Sequence, residues 1–302
     1  MLAAAAVVVV SAVAACGGSS NGGADAARVL SQTFSANVAK IHSGELSLTL
    51  HANLNGLKSV GGKPVSIQLA GPFSEPTGGP PSFALSATVT FDGQTLPIGV
   101  TSTGKALYLE FAGTYYALPA SVAAGLAHAI PTGATGPTDT GATGATNMLS
   151  SLGINPLTWL TNPKIVGTAT VGGVLTDHLT AQVDVAQLLS DVAKLASHSS
   201  GLAGKSVTKQ LSAANLSQFA SAIQSARVDI YSGANDHILR EFSAAVSFAI
   251  PPADKSAVDG LTGGSLTVGV TITNLNTPET ITPPASSQPF SDLVGGGGLP
   301  SL

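Results

Sequence analysis

One cysteine and six histidines are the residues best equipped for chemistry in this 302-residue chain: Cys16, His42, His51, His128, His178, His198 and His237. The histidines are scattered, and no two stand at the spacing of zinc ligands, so no metal site is expected. Asp177-His178 and Asp236-His237 are neighbours in sequence. Successive residues of a strand face opposite ways, so neither pair is expected to work as an acid–base dyad. Apart from Gly18-Ser19-Ser20-Asn21-Gly22 inside a Gly/Ser-rich run, the sequence contains no Gly-x-Ser-x-Gly, and it contains no His-Glu-x-x-His, no P-loop and no Gly-x-Gly-x-x-Gly. No catalytic residue and no cofactor is therefore expected, and an enzyme is the least favoured class. Cys16 is different. It ends an apolar run, Ala3 to Ala15, of the length and small-residue ending that mark a secretory signal. The run is too short to span a bilayer, which needs roughly 20 apolar residues. Gly17-Gly18-Ser19-Ser20-Asn21-Gly22-Gly23 follows it as a flexible tether.

Val13-Ala14-Ala15-Cys16 resembles the lipobox of bacterial lipoproteins: an aliphatic residue, two small ones, then cysteine. The resemblance implies that the Cys16 thiol receives a diacylglycerol with palmitate-type chains and that cleavage leaves Cys16 as the N-terminus. Two acyl chains hold a protein on a membrane where one does not. The n-region, Met1-Leu2, departs from the pattern in having no Lys or Arg. An ordinary secretory signal with an incidental cysteine is the competing reading.

Composition narrows the rest. Charged residues are only 9% of the chain against 44% hydrophobic, where soluble domains carry about 25% charged. Ser, Thr, Asn and Gly must supply the solvent face. A net charge of −4 with no basic run offers no field for nucleic acid. With a single cysteine no intramolecular disulfide can form, so the fold must stand on its core.

The elements that position these residues follow from periodicity. Ala27, Leu30, Phe34, Val38 and Ile41 recur at helical steps from Asp25 on. The period then becomes two: Leu46, Leu48 and Leu50; Phe83 to Phe91; Thr95 to Thr101; Leu107 to Phe111; Thr114 to Leu118. Asp92-Gly93 is a strong hairpin signal, and Ala112-Gly113 makes another turn. The result is an antiparallel meander with one apolar face. Pro131 to Thr146 is low-complexity and reads as an exposed loop. A short helical piece from Pro156 reaches Trp159-Leu160. A second set of strands follows: Lys164 to Val171 and Val174 to Val185 around Gly172-Gly173, Ala226 to Tyr231, Phe242 to Ile250, and Leu266 to Thr273. Helical stripes between them include Leu188-Leu189 and Leu216, Phe219, Ala220, Ile223. From Ser286 the tail reads as disordered. This order predicts an α+β fold, one curved antiparallel sheet with helices on its apolar face.

The ordering resembles the LppX/LprG-like lipoproteins of actinobacteria. The matching segments are Ser43-Gly44-Glu45-Leu46-Ser47-Leu48-Thr49-Leu50, Gly172-Gly173-Val174-Leu175-Thr176-Asp177-His178-Leu179, and Val270-Thr271-Ile272-Thr273-Asn274-Leu275 through Pro283-Pro284. They span roughly Ala24 to Pro284. The resemblance implies a LolA-like half-barrel whose concave face and helices enclose an apolar cavity for lipid or glycolipid acyl chains. It implies as partners that ligand, the cell membrane through Cys16, and an envelope lipid transporter, with no nucleic acid. The lipid-binding residues it suggests are Phe34, Leu85, Val89, Leu107, Leu109, Trp159, Val246 and Phe248. The expected organisation is a signal peptide at 1–15, a tether at 16–24, a lipid-binding domain at 25–285 with a loop at 131–146, and a tail at 286–302. Two readings compete: a membrane-anchored carrier or chaperone of lipids in the cell envelope, and a structural or interaction lipoprotein with a filled core. Alternation alone cannot separate a hollow apolar face from a packed one.

Overall fold

Residues 22–36, 40–56, 62–75, 80–120, 156–188, 190–191, 221–252 and 260–295 are described by a computed structural model. Cys16, His128, His198, the 131–146 segment and the stripe at Leu216 to Ala220 lie outside them.

Local sequence decides the hairpins. Strands β3 (Ser82–Phe91) and β4 (Gln94–Thr103) are joined by Asp92 and Gly93, both at positive φ (49° and 74°). That pair of left-handed residues matches the twist of the flanking strands. Ala112-Gly113 does the same between β5 (Leu107–Phe111) and β6 (Thr114–Ala117). Gly172-Gly173 joins β7 (Leu160–Val171) to β8 (Val174–Val183). β1 runs over Ser43–Asn55, β9 over Ile223–Gly233, β10 over Leu239–Ala249 and β11 over Gly263–Thr273.

β2 (Val65–Ser74) lies in a stretch whose glycines and prolines hide it from the period-two signal. Its Gly71 is required by close approach, because a Cβ there would strike the Ala84 carbonyl on β3. Ile223, read as the end of a helical stripe, instead begins β9. The tail is not structureless throughout: Gln288–Pro289 forms β12 parallel to β6, and Phe290–Gly295 forms a short helix, α2, with Leu293 buried.

All twelve strands join one sheet in the order β12-β6-β5-β4-β3-β2-β1-β11-β10-β9-β8-β7. Both halves of the chain therefore share one sheet, seamed where β1 pairs antiparallel with β11. The two edge strands do not meet, so this is an open half-barrel of the α+β class. Register makes one face continuously apolar. The row Ala181, Val228, Ala244, Val268, Leu50, Ile67, Val89, Leu96 crosses eight neighbouring strands from β8 to β4. Partners opposite each other in a ladder share a face, so every member of the row points the same way.

Helix α1 (Gly22–Ser31) covers only one end of that face. Ala26, Val29 and Leu30 are buried against Leu179, Ala181, Val228 and Ile230. Of the expected stripe Leu30 is buried and Phe34 packs against the core, but Ala27 is exposed, and Ala26, Val29 and Thr33 complete the buried i, i+3, i+4, i+7 set with Leu30. The helix also starts inside the supposed tether, at Gly22, and widens into a π-helical turn at Gln32–Ala36. No helix among the described residues is long and apolar enough to cross a membrane.

Candidate functional site

Beyond the patch that α1 seals, the apolar face is only half-buried. Next to that patch lies a cavity of about 570 Å³. Its floor is the sheet: Val183 from β8, Ala226 and Val228 from β9, and Phe242, Ala244 and Val246 from β10. The pairs Ala226–Val246, Val228–Ala244 and Ile230–Phe242 stand opposite each other, which fixes their common direction. Two of the floor positions are alanine, which leaves room above the strands.

Short segments build the walls. Leu157 and Trp159 come from the 3₁₀ turn Pro156–Trp159, with Leu160 beginning β7 beside them. Val185 and Leu188 come from the helical turn at 185–188, and Ile223 closes the strand end. Phe34 overhangs from the widened turn after α1. Its height is set by a buried hydroxyl pair: Thr33 Oγ1 donates to the Val29 carbonyl at 2.8 Å and lies 2.7 Å from Ser232 Oγ on β9. Both residues are fully buried, so this contact pins the turn to the sheet.

Among the described residues, the one side-chain polar group on the lining is consumed. The Trp159 indole Nε1 donates to Asp191 Oδ2 at 2.9 Å, and Gln187 Nε2 donates to the same oxygen at 3.2 Å. Asp191 is 1% exposed. A buried carboxylate thus orients the indole and leaves its apolar ring toward the cavity.

Of the residues suggested from sequence, Phe34, Trp159 and Val246 meet in this cavity. Phe248 follows Val246 on the same face, past a register shift, with its ring over Gly264. Leu85 and Val89 on β3 and Leu107 and Leu109 on β5 face the same way but lie at the other end of the sheet, outside this lining. Leu107 is buried there, and Leu109 stands between Val100 and Tyr116. Leu157, Leu160, Val183, Val185, Leu188, Ile223, Ala226, Val228, Phe242 and Ala244 were not singled out in advance. Their alternation shows that they are apolar; which of them surround a void depends on chain segments far apart.

Titratable groups gather on the opposite face. His178 Nε2 and Asp229 Oδ1 are 2.9 Å apart, and the His178 ring stacks on Tyr231 with centroids 4.4 Å apart. His178 therefore pairs across the sheet rather than with its neighbour Asp177. Burial pushes the Asp229 carboxyl up, but hydrogen bonds from Arg227 and His178 and their charges outweigh it, so it lies below its ordinary range. Burial raises Glu241, opposed by His178.

No family model and no curated protein matches this sequence. Among solved structures, the chain is similar to LprF from Mycobacterium bovis, with a TM-score of 0.41 and 16% identity over 87% of this chain and 98% of that one. A putative outer membrane lipoprotein-sorting protein domain from Vibrio parahaemolyticus aligns with a TM-score of 0.20 and 6% identity, over 85% of this chain and 93% of the other. The chain is likewise similar to the Mycobacterium tuberculosis lipoprotein LppX, with a TM-score of 0.37 and 11% identity, over 86% of this chain and 99% of the other.

Proposed function

We propose that this chain is a membrane-anchored, non-enzymatic lipoprotein that holds the acyl part of a lipid or glycolipid between its sheet and first helix and carries or chaperones it in the cell envelope. The observation that carries this reading is the cavity of about 570 Å³ lined by thirteen apolar side chains. Binding pockets span about 300–1,000 Å³ and place a few polar groups to orient their ligands. Here the only polar group on the lining among the described residues already has its partner. Such a cavity offers a ligand nothing but apolar burial, which suits a hydrocarbon chain at about 0.8 kcal/mol per buried methylene. Cys16 supplies the anchor in this reading.

Native mass spectrometry of the full chain carrying Cys16→Ser, after incubation with phospholipid vesicles, tests it. The expected spectrum contains protein with a lipid-sized adduct that organic extraction removes. A spectrum of bare protein alone would overturn the carrier role. A second reading, an interaction lipoprotein, draws on a different observation. At the β7–β8 hairpin Val166 and Leu175 are about half exposed, at 52% and 53%, beside Ile165 and Val174. If that hairpin is the working surface, Leu175→Ser changes partner capture in envelope extracts and leaves lipid binding untouched.

A further inference from the structure

The ladder between β8 and β9 stops at Gln182–Arg227, while β9 extends four residues further back, to Ile223. Beyond that point the two strands bond only to their outer neighbours, Val183 to Leu160 and Ala226 to Val246. β8 ends one residue later, at Val183, and two cavities adjoin there. Val183, Val185, Ile223 and Ala226 line the apolar cavity, and the same four line a second cavity of about 600 Å³.

Part of the second cavity's lining comes from the opposite face. Alternation turns Thr180, Gln182, Ser225 and Arg227 away from Ala181, Val183, Ala226 and Val228. With Asn162, Lys164 and Gln224 they make the polar part of the lining, amides, hydroxyls and two cations, with no carboxylate among its described residues. Asn162 Nδ2 donates to Gln182 Oε1 at 3.3 Å, which sets the amides side by side. Asp229 flanks the lining and holds Arg227 at 2.7 Å, so it offsets part of that charge. Lys164 stands exposed on β7 opposite Thr180. An apolar hollow and a cationic, hydrogen-bonding groove thus adjoin at the end of β8.

We propose that this groove is the head-group site for a phosphate-bearing lipid whose acyl chains pass the end of β8 into the apolar cavity. The assignment rests on the acyl-binding reading above. Phosphate oxygens accept from Lys164 and Arg227, and the flanking amides and hydroxyls serve a glycerol or sugar portion. The polar end stays in water-facing space, and the hydrocarbon end reaches a lining that asks for no hydrogen bond.

Trp159, the only tryptophan, lines the apolar cavity and reports on it. The full chain carrying Cys16→Ser is loaded from phosphatidylcholine vesicles doped with brominated-acyl phosphatidylglycerol or brominated-acyl diacylglycerol, then separated, and Trp159 quenching is read. Wild-type sequence at position 164 is expected to take up both lipids. Lys164→Glu should raise the half-saturating concentration of the phosphatidylglycerol about tenfold and leave the diacylglycerol unchanged, and Lys164→Arg should restore it. Equal shifts for both lipids, or no shift for either, would overturn the head-group assignment while leaving the acyl pocket standing. Loss of quenching in 1 mM inorganic phosphate (an order-of-magnitude choice near the weak end of specific binding) would show that the groove takes the free anion, and would also overturn it. Failure of both lipids to quench Trp159 before any substitution at 164 removes the acyl pocket itself, and the head-group site with it.

Discussion

Ala244→Leu turns the question of a hollow or filled face into a question of sign. Ala244 sits mid-strand on β10 between Phe242 and Val246, opposite Val228 and Val268, and points into the cavity. Leucine adds three carbons. At about 0.8 kcal/mol per buried carbon the full gain is about 2 kcal/mol, and about half of that at a half-buried position. In an empty pocket the larger side chain finds space and partners, so the lipid-free variant should be more stable by about 1 kcal/mol. A chain of this size shifts its melting temperature by about 2–4 °C per kcal/mol. The same leucine occupies volume that an acyl chain needs, so lipid retention should fall. In a packed core the added carbons force neighbours off their rotamers and cost about 1–3 kcal/mol instead. The comparison must be made on delipidated protein, because bound ligand raises the apparent stability of the wild type by linkage. Calorimetry of both extracted proteins, beside the lipid recovered from each before extraction, gives the answer. A variant that melts more than about 4 °C below the wild type would refute the hollow-pocket reasoning.

Thr33→Val should cost about 1–3 kcal/mol in urea unfolding, since it strands the buried Ser232 hydroxyl. Adding Ser232→Ala should recover part of that loss, and additive costs would show that the pair does not act as a unit. For the lowered Asp229 carboxyl the stability of its pairing is present above about pH 3.9 and is lost as pH falls through the folded value. Asp229→Asn should therefore melt lower at neutral pH, with the gap narrowing below about pH 4; a constant gap across pH contradicts the assignment. Glu241 carries the opposite sign. Its raised carboxyl loses stability as pH rises from about 4.3 through the folded value, so Glu241→Gln should melt higher at pH 7 and match the wild type in acid. Cys16→Ser should move the protein from the membrane to the soluble fraction, and unchanged fractionation would mean that the anchor lies elsewhere.

Much of the chain's local order was legible in its residues. Asp92-Gly93, Ala112-Gly113 and Gly172-Gly173 mark hairpins because positive φ is costly for most residues and cheap for glycine, with aspartate tolerating it; Ala112 takes it at a cost beside Gly113. The alternation of Leu46, Leu48 and Leu50, or of Leu266, Val268, Val270 and Ile272, predicts which face of each strand is apolar. These signals act within a few residues. They fail where the local pattern is interrupted, as at Gly71-Pro72 inside β2, or where a run fits two periods, as at Ile223.

Tertiary structure decided what lies between distant segments. β1 and β11 are over 200 residues apart and form the seam of the sheet, and no short-range preference selects that pairing over an outer neighbour. The Thr33–Ser232 bond, 199 residues across, sets where Phe34 hangs. Asp191, a residue not singled out by any motif, is buried and accepts from the Trp159 indole. The cavity belongs to the same order of information. Whether an apolar face is hollow depends on summed side-chain volume around a point in space, contributed here by β8, β9, β10 and three short flanking segments. Periodicity records direction along one strand and carries no measure of that volume.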